Sequence, residues 1–505
     1  MSAPAISIVE ACDDAELFGR WFRDRDTWSA WFALLAALFG LPMTPEQQEV
    51  YRRQTGREGL PAGPFAECWL ACGRRSGKSF ILALVAVFLA CFRNYSEFLG
   101  PGERGTLMVI AADRRQARVI MRYIRGIIVG TPLFSGMIDG QVRADGIDLS
   151  NSVTIEVGTA SFRTSRGYAF VAVLADEVAF WPSDSSAEPD YEILDAIRPG
   201  MASIPGSVLL CASSPYAKRG ALWDAFRTYY GKDDPGVLVW RADTRSMNPT
   251  IPQDVISRAL ARDAATASAE YLAEFRSDVA AFLSREAIQA TVTPGCRERP
   301  RIAGVRYSAF TDPSGGSSDS MTLAVGHTEA DRNGRQIAIL DAVREIAAPF
   351  SPEGAVKELA QLLRLYDVSE VSGDRYGGEW PAEAFRKQGI LYKTSDRTKS
   401  QLYLDLLPIL NSRGVELLDL PRLTAQLCSL ERRTARGGRD SVDHPPNSHD
   451  DVANCVAGVV ANLCRAKIEI DDSIGVSSVP APARLPDREY YSSGTANVLS
   501  VSFPG

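Results

Sequence analysis

At 505 residues the chain is too long for one ordinary hydrophobic core, so two or more domains are expected. With 45% apolar and 23% charged residues it has a soluble globular composition, and nine scattered cysteines without a C-x-x-C pair beside only three histidines exclude a disulfide framework and a zinc knuckle. A net charge of −7 excludes a protein coated with basic surface for nucleic acid, so any DNA contact must be local.

The N-terminal stretch Met1 to Glu10 lacks the basic flank of a secretory signal, and the apolar run Trp28 to Met43 is short of a membrane span. No targeting is visible, and a reducing cytoplasm fits. Residues 1–43 form an expected N-terminal helical segment, in which Trp21, Phe22, Trp28, Trp31, Phe32, Leu34, Leu35, Leu38 and Phe39 carry the rhythm of a helix packed on the domain that follows. Thr44 then caps a helix with Pro45 at its first position. Gln47 or Gln48 there has the paired donor and acceptor that read an adenine edge; a plain helix start explains them equally well.

Leu70-Ala71-Cys72-Gly73-Arg74-Arg75-Ser76-Gly77-Lys78-Ser79, followed by the apolar run Phe80 to Val87, reads as a strand, a tight turn and a buried helix. Main-chain N–H groups of Gly73, Arg74, Arg75, Ser76 and Gly77 converge there on an anion, Lys78 reaches the β- and γ-phosphates of ATP, and the Ser79 hydroxyl binds Mg²⁺. The usual first glycine position of such a loop is Cys72, with Gly73 one step late. A strand Thr106 to Ala112 follows, then a helix Arg114 to Ile128 bearing Arg114, Arg115, Arg118, Arg122 and Arg125, either a solvated basic face or a track for phosphates.

Phe170 to Glu177 is an unbroken apolar run ending in two acids, the pattern of a parallel strand buried on both faces with its ligands at the C-terminal end. Asp176 would hold Mg²⁺ and Glu177 would orient the attacking water. Between the loop and these acids, Arg163 and Arg166 are candidates for a finger reaching a neighbour's γ-phosphate, or ordinary surface residues. A third such strand, Ser207 to Ser213, ends in hydroxyls, and Ser213 or Ser214 can sense the γ-phosphate. The ATPase domain is placed at 44–285, followed by a linker at 286–303 containing Thr293-Pro294-Gly295.

The pattern changes in residues 304–468. Strands Val305 to Asp312, Ser320 to His327 and Gln336 to Arg344 are joined by short loops containing Gly315-Gly316 and Asn333-Gly334, an antiparallel meander. Then a helix from Pro352 to Tyr366 and a strand Val368 to Asp374 lead into alternating elements: Glu379 to Gln388, Ile390 to Thr394, Lys399 to Asn411, Val415 to Leu418, Leu423 to Arg433, and a last helix from Asp450 to Cys464. If the first and fourth strands are neighbours, Asp312 and Asp374 at their ends meet Asp450 and Asp451 at the last helix start. Such carboxylates repel one another and call for divalent cations; two Mg²⁺ or Mn²⁺ about 4 Å apart would flank a scissile phosphate. Spacing does not separate Asp450 from Asp451. Nearby, Arg432, Arg433, Arg436 and Arg439 read as a mobile basic hairpin for a DNA backbone, with an idle solvated loop as the alternative. Residues 469–505 turn Ser/Pro/Gly-rich and read as a flexible tail.

Taken in order, Cys72 to Ser79, Leu174-Ala175-Asp176-Glu177, Ser213-Ser214-Pro215, Asp312-Pro313-Ser314-Gly315-Gly316, Gly373 to Gly378 and His449-Asp450-Asp451 resemble the large terminase subunit of tailed bacteriophages, the motor and nuclease that packages double-stranded DNA. The late Gly73 resembles that family's own variant with Arg in the loop. The resemblance implies a P-loop NTPase domain, a parallel sheet with helices on both faces, followed by an RNase H-like α/β nuclease domain. It implies that Gln47 belongs to the adenine-reading motif, that Ser213 and Ser214 couple hydrolysis to movement, and that Arg166 acts on the adjacent subunit. It further implies a pentameric ring on the portal protein, a terminase small subunit as partner, and action in the cytoplasm of an infected bacterial host. A cellular helicase or repair ATPase with an appended nuclease, and a nucleotide-switched assembly adaptor, are the alternatives.

Overall fold

The computed structural model describes residues 6–160, 167–181, 189–317, 319–332, 334–374, 379–434, 440–445 and 448–473. The first sheet comprises β1 (Glu67–Cys72), β2 (Gly105–Ala111), β3 (Gly146–Asp148), β4 (Val153–Thr159), β5 (Ala169–Asp176), β6 (Val208–Ser213) and β7 (Val237–Ala242), side by side in the order β3-β4-β2-β5-β6-β1-β7. Its pairings are parallel except β3 against β4. Alternating side chains feed two cores: Cys68, Leu70 and Cys72 of β1 join the helix Lys78–Phe92 on one face, while Trp69 and Ala71 join the helices Pro189–Met201 and Gly220–Tyr229 on the other. That two-faced burial is why β5 carries an apolar run with no polar alternation.

The single helical segment expected before Thr44 is broken. Short 3₁₀ turns occupy Gly19–Trp21 and Arg25–Trp28, and the helix proper is Ser29–Leu38, because the polar run Arg23 to Thr27 has no apolar face to bury. Its packing is as expected: Phe22 and Trp28 meet Phe80 edge-on at 5.9 and 5.4 Å, and Trp31 is fully buried in the same core as β1.

Between the large sheets lie β8 (Val279–Ala281) and β9 (Val292–Thr293); β10 (Ser308–Asp312), β11 (Met321–Ala330), β12 (Gln336–Ile346), β13 (Glu370–Gly373), β14 (Leu391–Thr394) and β15 (Val415–Leu418) follow, then the hairpin β16 (Glu431–Thr434) and β17 (Asp440–Asp443). The second sheet runs β14-β13-β10-β11-β12-β15-β9, and a small sheet runs β17-β16-β8. From β10 to β12 the pairing is antiparallel, while β10-β13 and β13-β14 are parallel. Counted from β10 this is a 3-2-1-4-5 order with the second strand reversed, the RNase H-like arrangement, beside a P-loop NTPase sheet in the first half.

The 286–303 stretch expected as a linker is built into this second body instead. The helix Arg285–Gln289, capped by Ser284, buries Ile288 in the second core, and β9 extends the sheet alongside β15. Also shifted is the helix expected to run to Arg433: it spans Pro421–Ser429, and Glu431–Thr434 form a strand because they pair with both β8 and β17. The last helix, Asp451–Ser473, runs past the expected tail start at Glu469; residues 474–505 lie outside the described residues. It crosses β10 closely at Gly458, where a Cβ would fall 2.2 Å from the Phe310 ring. That contact sets the helix start against the end of β10. Among the described residues, no helix is long and apolar enough to cross a membrane.

Candidate functional site

At the C-terminal end of β1 the chain turns through Gly73 to Gly77 into the helix that begins at Lys78. The late glycine has a structural cause. Cys72 is the last, fully buried strand residue, and the turn begins after it; a Cβ on Gly73 would meet Thr244 Oγ1 at 2.4 Å and its main-chain nitrogen at 2.6 Å. Thr244 uses that closeness to donate from its hydroxyl to the Arg74 carbonyl at 2.8 Å. Arg75 (φ 65°) and Gly77 (φ 103°) supply left-handed backbone. The Arg74 side chain turns outward to Glu270 at 2.8 Å, and the Arg75 carbonyl accepts from Asn248 Nδ2 at 2.9 Å. From the N-terminal segment, Trp31 Nε1 donates to the Ser76 carbonyl at 2.9 Å.

Lys78 is buried, and its ammonium lies 3.1 Å from the Cys72 carbonyl, 3.3 Å from the Gly73 carbonyl, 3.3 Å from Ser214 Oγ and 3.8 Å from Glu177 Oε1. Asp176, at the end of β5, accepts on Oδ2 from Ser79 Oγ at 3.0 Å and from Gln116 Nε2 at 2.9 Å. Burial first, then the neighbouring Glu177, push its carboxyl up to about 6, against the pull of Lys78. Glu177 sits in left-handed backbone (φ 52°) and accepts on Oε2 from Ser213 Oγ at 3.0 Å and the Ser214 amide at 3.2 Å. Two adjoining groups result: Ser79 and Gln116 on Asp176, and Lys78, Ser213 and Ser214 around Glu177. Ser76 Oγ is buried with no hydrogen-bond partner, and Asp176 Oδ1 likewise, so an anion in the loop and a cation beside Asp176 would each satisfy an atom the protein leaves unmatched. The residues present fit Mg²⁺ and a nucleotide.

In the second sheet β10 and β13 are neighbours, as the motif order required, and Asp312 and Asp374 converge. One side chain joins them. Asn454, 1% exposed, donates from Nδ2 to Asp312 Oδ2 and to Asp374 Oδ2, both at 2.8 Å. Burial pushes both carboxyls up, Asp312 strongly, while the Asn454 hydrogen bonds pull the other way. Asn454 Oδ1 is buried without a partner. A divalent cation fits between the two aspartates on these grounds: hard oxygen donors, removed from water, held by a single neutral NH₂.

The other two acids part company. Asp450 accepts from Tyr403 OH at 2.8 Å and is held by the Lys399 ammonium at 3.1 Å, with His444 Nε2 at 4.0 Å. Asp451 has His449 and Asp319 near it as well as Asp450; burial and then Asp450 push its carboxyl up to about 6, and its Oδ2 is buried without a partner. Asp450 and Asp451 lie near enough for their charges to raise the Asp312 carboxyl, and Asp450 that of Asp374, so the four acids share one neighbourhood, although among the described residues no three His, Cys, Asp or Glu side chains are already gathered to hold a metal ion. Lys399 and Tyr403 are the partners that engage Asp450.

Gln47 completes a capping box, its Oε1 accepting from the Thr44 amide at 3.0 Å while the Thr44 hydroxyl accepts from the Gln47 amide, and Gln48 donates to the Met43 carbonyl at 3.1 Å. Arg432 pairs with Asp440, and Arg433 with Glu431 at 3.1 Å and the His444 carbonyl at 2.8 Å. Arg163, Arg166, Arg436 and Arg439 lie outside the described residues. The local basic surface sits elsewhere, where Arg115, Arg118, Arg122, Arg125 and Arg143 line one hollow of about 460 Å³. Four contributors were missed from the sequence: Gln116, Asn454, Lys399 and Tyr403. Asn454 was within reach, since it follows Asp450 by four residues and so shares its helix face. The others follow only from tertiary packing.

No family model and no curated protein matches the chain. Among solved structures it is similar to the large terminase of bacteriophage HK97, at 15% identity over 84% of this chain and 95% of that one, with a TM-score of 0.36. It is similar to the large terminase of a thermophilic bacteriophage in complex with ATP-gamma-S, at 11% identity over 86% and 99% with a TM-score of 0.36. The third is the large terminase nuclease of thermophilic phage G20c with bound magnesium, at 18% identity over 32% and 84% with a TM-score of 0.28.

Proposed function

We propose that this chain is the motor and nuclease of a phage DNA-packaging machine: ATP hydrolysis in the first domain drives double-stranded DNA into a procapsid, and a divalent-metal endonuclease in the second cuts concatemeric DNA. The observation that carries the reading is the presence of two separate centres in one chain, Lys78 with Asp176 and Glu177 at one sheet edge, and Asp312 with Asp374 at the other. The reading divides the chain near Arg285, ahead of the helix Arg285–Gln289.

In the first centre the turn from Gly73 to Gly77 binds the phosphates through main-chain N–H groups, and Lys78 moves forward from the Cys72 and Gly73 carbonyls to the β- and γ-phosphates. Ser79 and Asp176, already joined by a hydrogen bond, would hold Mg²⁺, whose charge would be supplied to the phosphate oxygens. Glu177 orients the attacking water. Because its other oxygen is tied to Ser213 and Ser214, a change at the γ-phosphate is felt directly by the chain after β6. Gln47 reads the adenine by turning its side chain from the Thr44 amide. Arg166 of an adjacent subunit in a pentameric ring on the portal completes the site, and the terminase small subunit delivers DNA. The arginines around the 460 Å³ hollow, in place of the paired Arg432 and Arg433, supply the local contact to DNA phosphates.

In the second centre Asp312 and Asp374 would hold a divalent cation, the group that would supply Lewis acidity at the scissile phosphate. Asn454 keeps the two carboxylates at a common distance.

The experiment is packaging itself. The chain is mixed with portal-bearing procapsids, small subunit, concatemeric double-stranded DNA and Mg-ATP, and DNA protected from added nuclease is measured. ATP-dependent protection is expected; separated strands without protection would turn the reading toward a helicase.

A further inference from the structure

We infer that the ammonium of Lys399 is a built-in cation of the acidic centre, taking the place of a second divalent ion, so that this centre takes one metal ion where four acids suggest two. The inference rests on the nuclease reading above. Lys399 opens the helix Lys399–Asn411, fixed there by the Thr398 capping box. From that position its Nζ lies 3.1 and 3.3 Å from the two oxygens of Asp450 and 2.9 Å from Asp443 Oδ1. Two carboxylates closing on one ammonium is the environment a second cation would have. Tyr403, one turn along the same helix face, donates to Asp450 Oδ2 at 2.8 Å and keeps that carboxylate turned to the lysine.

The surroundings hold Lys399 in place from the other side too. The hairpin β16-β17 docks on the helix start, where the Val442 amide donates to Ser400 Oγ at 2.9 Å, so Asp443 is delivered to Lys399 by an element separate from the one that carries Asp450. Meanwhile Asp312 and Asp374 face Asn454, whose Oδ1 has no partner and whose NH₂ bridges them. The charges sort into two halves, the pair Asp312 and Asp374, and the pair Asp443 and Asp450, which shares the one ammonium of Lys399. Lys399 remains 31% exposed, so its ammonium can turn from Asp443 toward a bound phosphodiester without leaving Asp450. A fixed point charge with rotatable donors suits that task.

Manganese binding to the full chain without nucleotide, counted by calorimetry and by the spin signal of free ion, tests this. Ions lost on Asp374→Asn are assigned to the acidic centre, which leaves out any ion at Ser79 and Asp176. Wild type should lose one ion, Lys399→Gln should bind two, and Lys399→Arg should bind one. Plasmid cutting by Lys399→Gln should need at least about tenfold more Mn²⁺ for half its maximal rate and recover at high Mn²⁺, since a free ion then fills the vacated charge. Two Asp374-sensitive ions in wild type, or one in both wild type and Lys399→Gln, would overturn the inference and leave the nuclease reading standing. No Asp374-sensitive ion in any variant would remove the nuclease reading, and this inference with it.

Discussion

At the end of β1 the phosphate loop presents main-chain groups and one ammonium, Lys78, whereas at the end of β10 the acidic centre presents side chains from four separate stretches: Asp312, Asp374, Lys399, and the turn from Asp450 to Asn454. In the first, the backbone itself makes the binding surface, and Lys78 rests on carbonyls of its own loop. In the second, nothing local makes the site; the sheet order and the close crossing at Gly458 bring the parts together. A main-chain site tolerates change in all but a few residues. A side-chain site fails with any one of its members.

The largest expected effect follows from keeping the two apart. Lys78→Ala should lower ATP hydrolysis at least about 1,000-fold, because phosphoryl transfer depends on charge placed at the phosphates, while plasmid cutting with Mn²⁺ stays within about twofold. Asp374→Ala should do the reverse. Equal loss of both activities in both folded variants would erase the comparison. Glu177→Gln sharpens it: nucleotide still binds, hydrolysis falls at least about 100-fold, and the Ser213 and Ser214 hydrogen bonds survive on the amide oxygen.

The same contrast decides what could be read from the chain before its structure. Strand, turn, lysine and serine of the first centre are consecutive from Leu70 to Ser79, so the motif declares itself without any knowledge of topology; only the cause of its late glycine, the approach of Thr244, had to wait for the fold. Asp312 and Asp374 became a pair only through the inferred adjacency of the first and fourth strands, which β10 and β13 bear out. Lys399 and Tyr403 could not be found that way, because their partner Asp450 lies far along the chain and no periodicity links them. The partners of the basic hairpin were hidden for a related reason. Arg432 and Arg433 look free in sequence, yet β16 pairs them with Asp440 and Glu431.

Glu431 also joins the two regions. Fully buried on β16, it accepts from Tyr216 OH at 2.7 Å and pairs with Arg219, both from the chain just after Ser213-Ser214, and with Arg433. Glu431→Ala leaves two arginines without a carboxylate. Since each is about a third exposed, the cost should be about 2–3 kcal/mol, below that of a fully buried pair, read as a lower unfolding midpoint in urea. Two separate unfolding steps in this variant, against one in wild type, would mark Glu431 as the clasp between the domains; one step at the wild-type midpoint would deny it.

A smaller effect separates the centres by pH. Asp176 holds its proton up to about pH 6, because burial and Glu177 disfavour the carboxylate, and Mg²⁺ needs that carboxylate bare. Magnesium–ATP affinity should therefore be full above about pH 7 and weaken toward tenfold per unit as pH falls below about 6, one proton being displaced per ion bound. ATP without metal should show no such slope. Affinity that does not change between about pH 5 and about pH 7 would place the ion away from Asp176.

The smallest effect tests whether the N-terminal segment belongs to the first centre or merely covers it. Trp31→Phe keeps the ring in the aromatic core but removes the donor to the Ser76 carbonyl, leaving a buried acceptor unmatched at a cost of about 1–2 kcal/mol. If Ser76 is part of the proposed phosphate-binding surface, this loss should appear as a raised KM for ATP with kcat nearly unchanged, together with a lower melting temperature. A change in melting temperature alone would make the segment a cover. A raised KM would make the phosphate loop a site whose shape is held from 45 residues upstream, which narrows the contrast with the acidic centre: both would then depend on a distant side chain, one for its shape and the other for its charge.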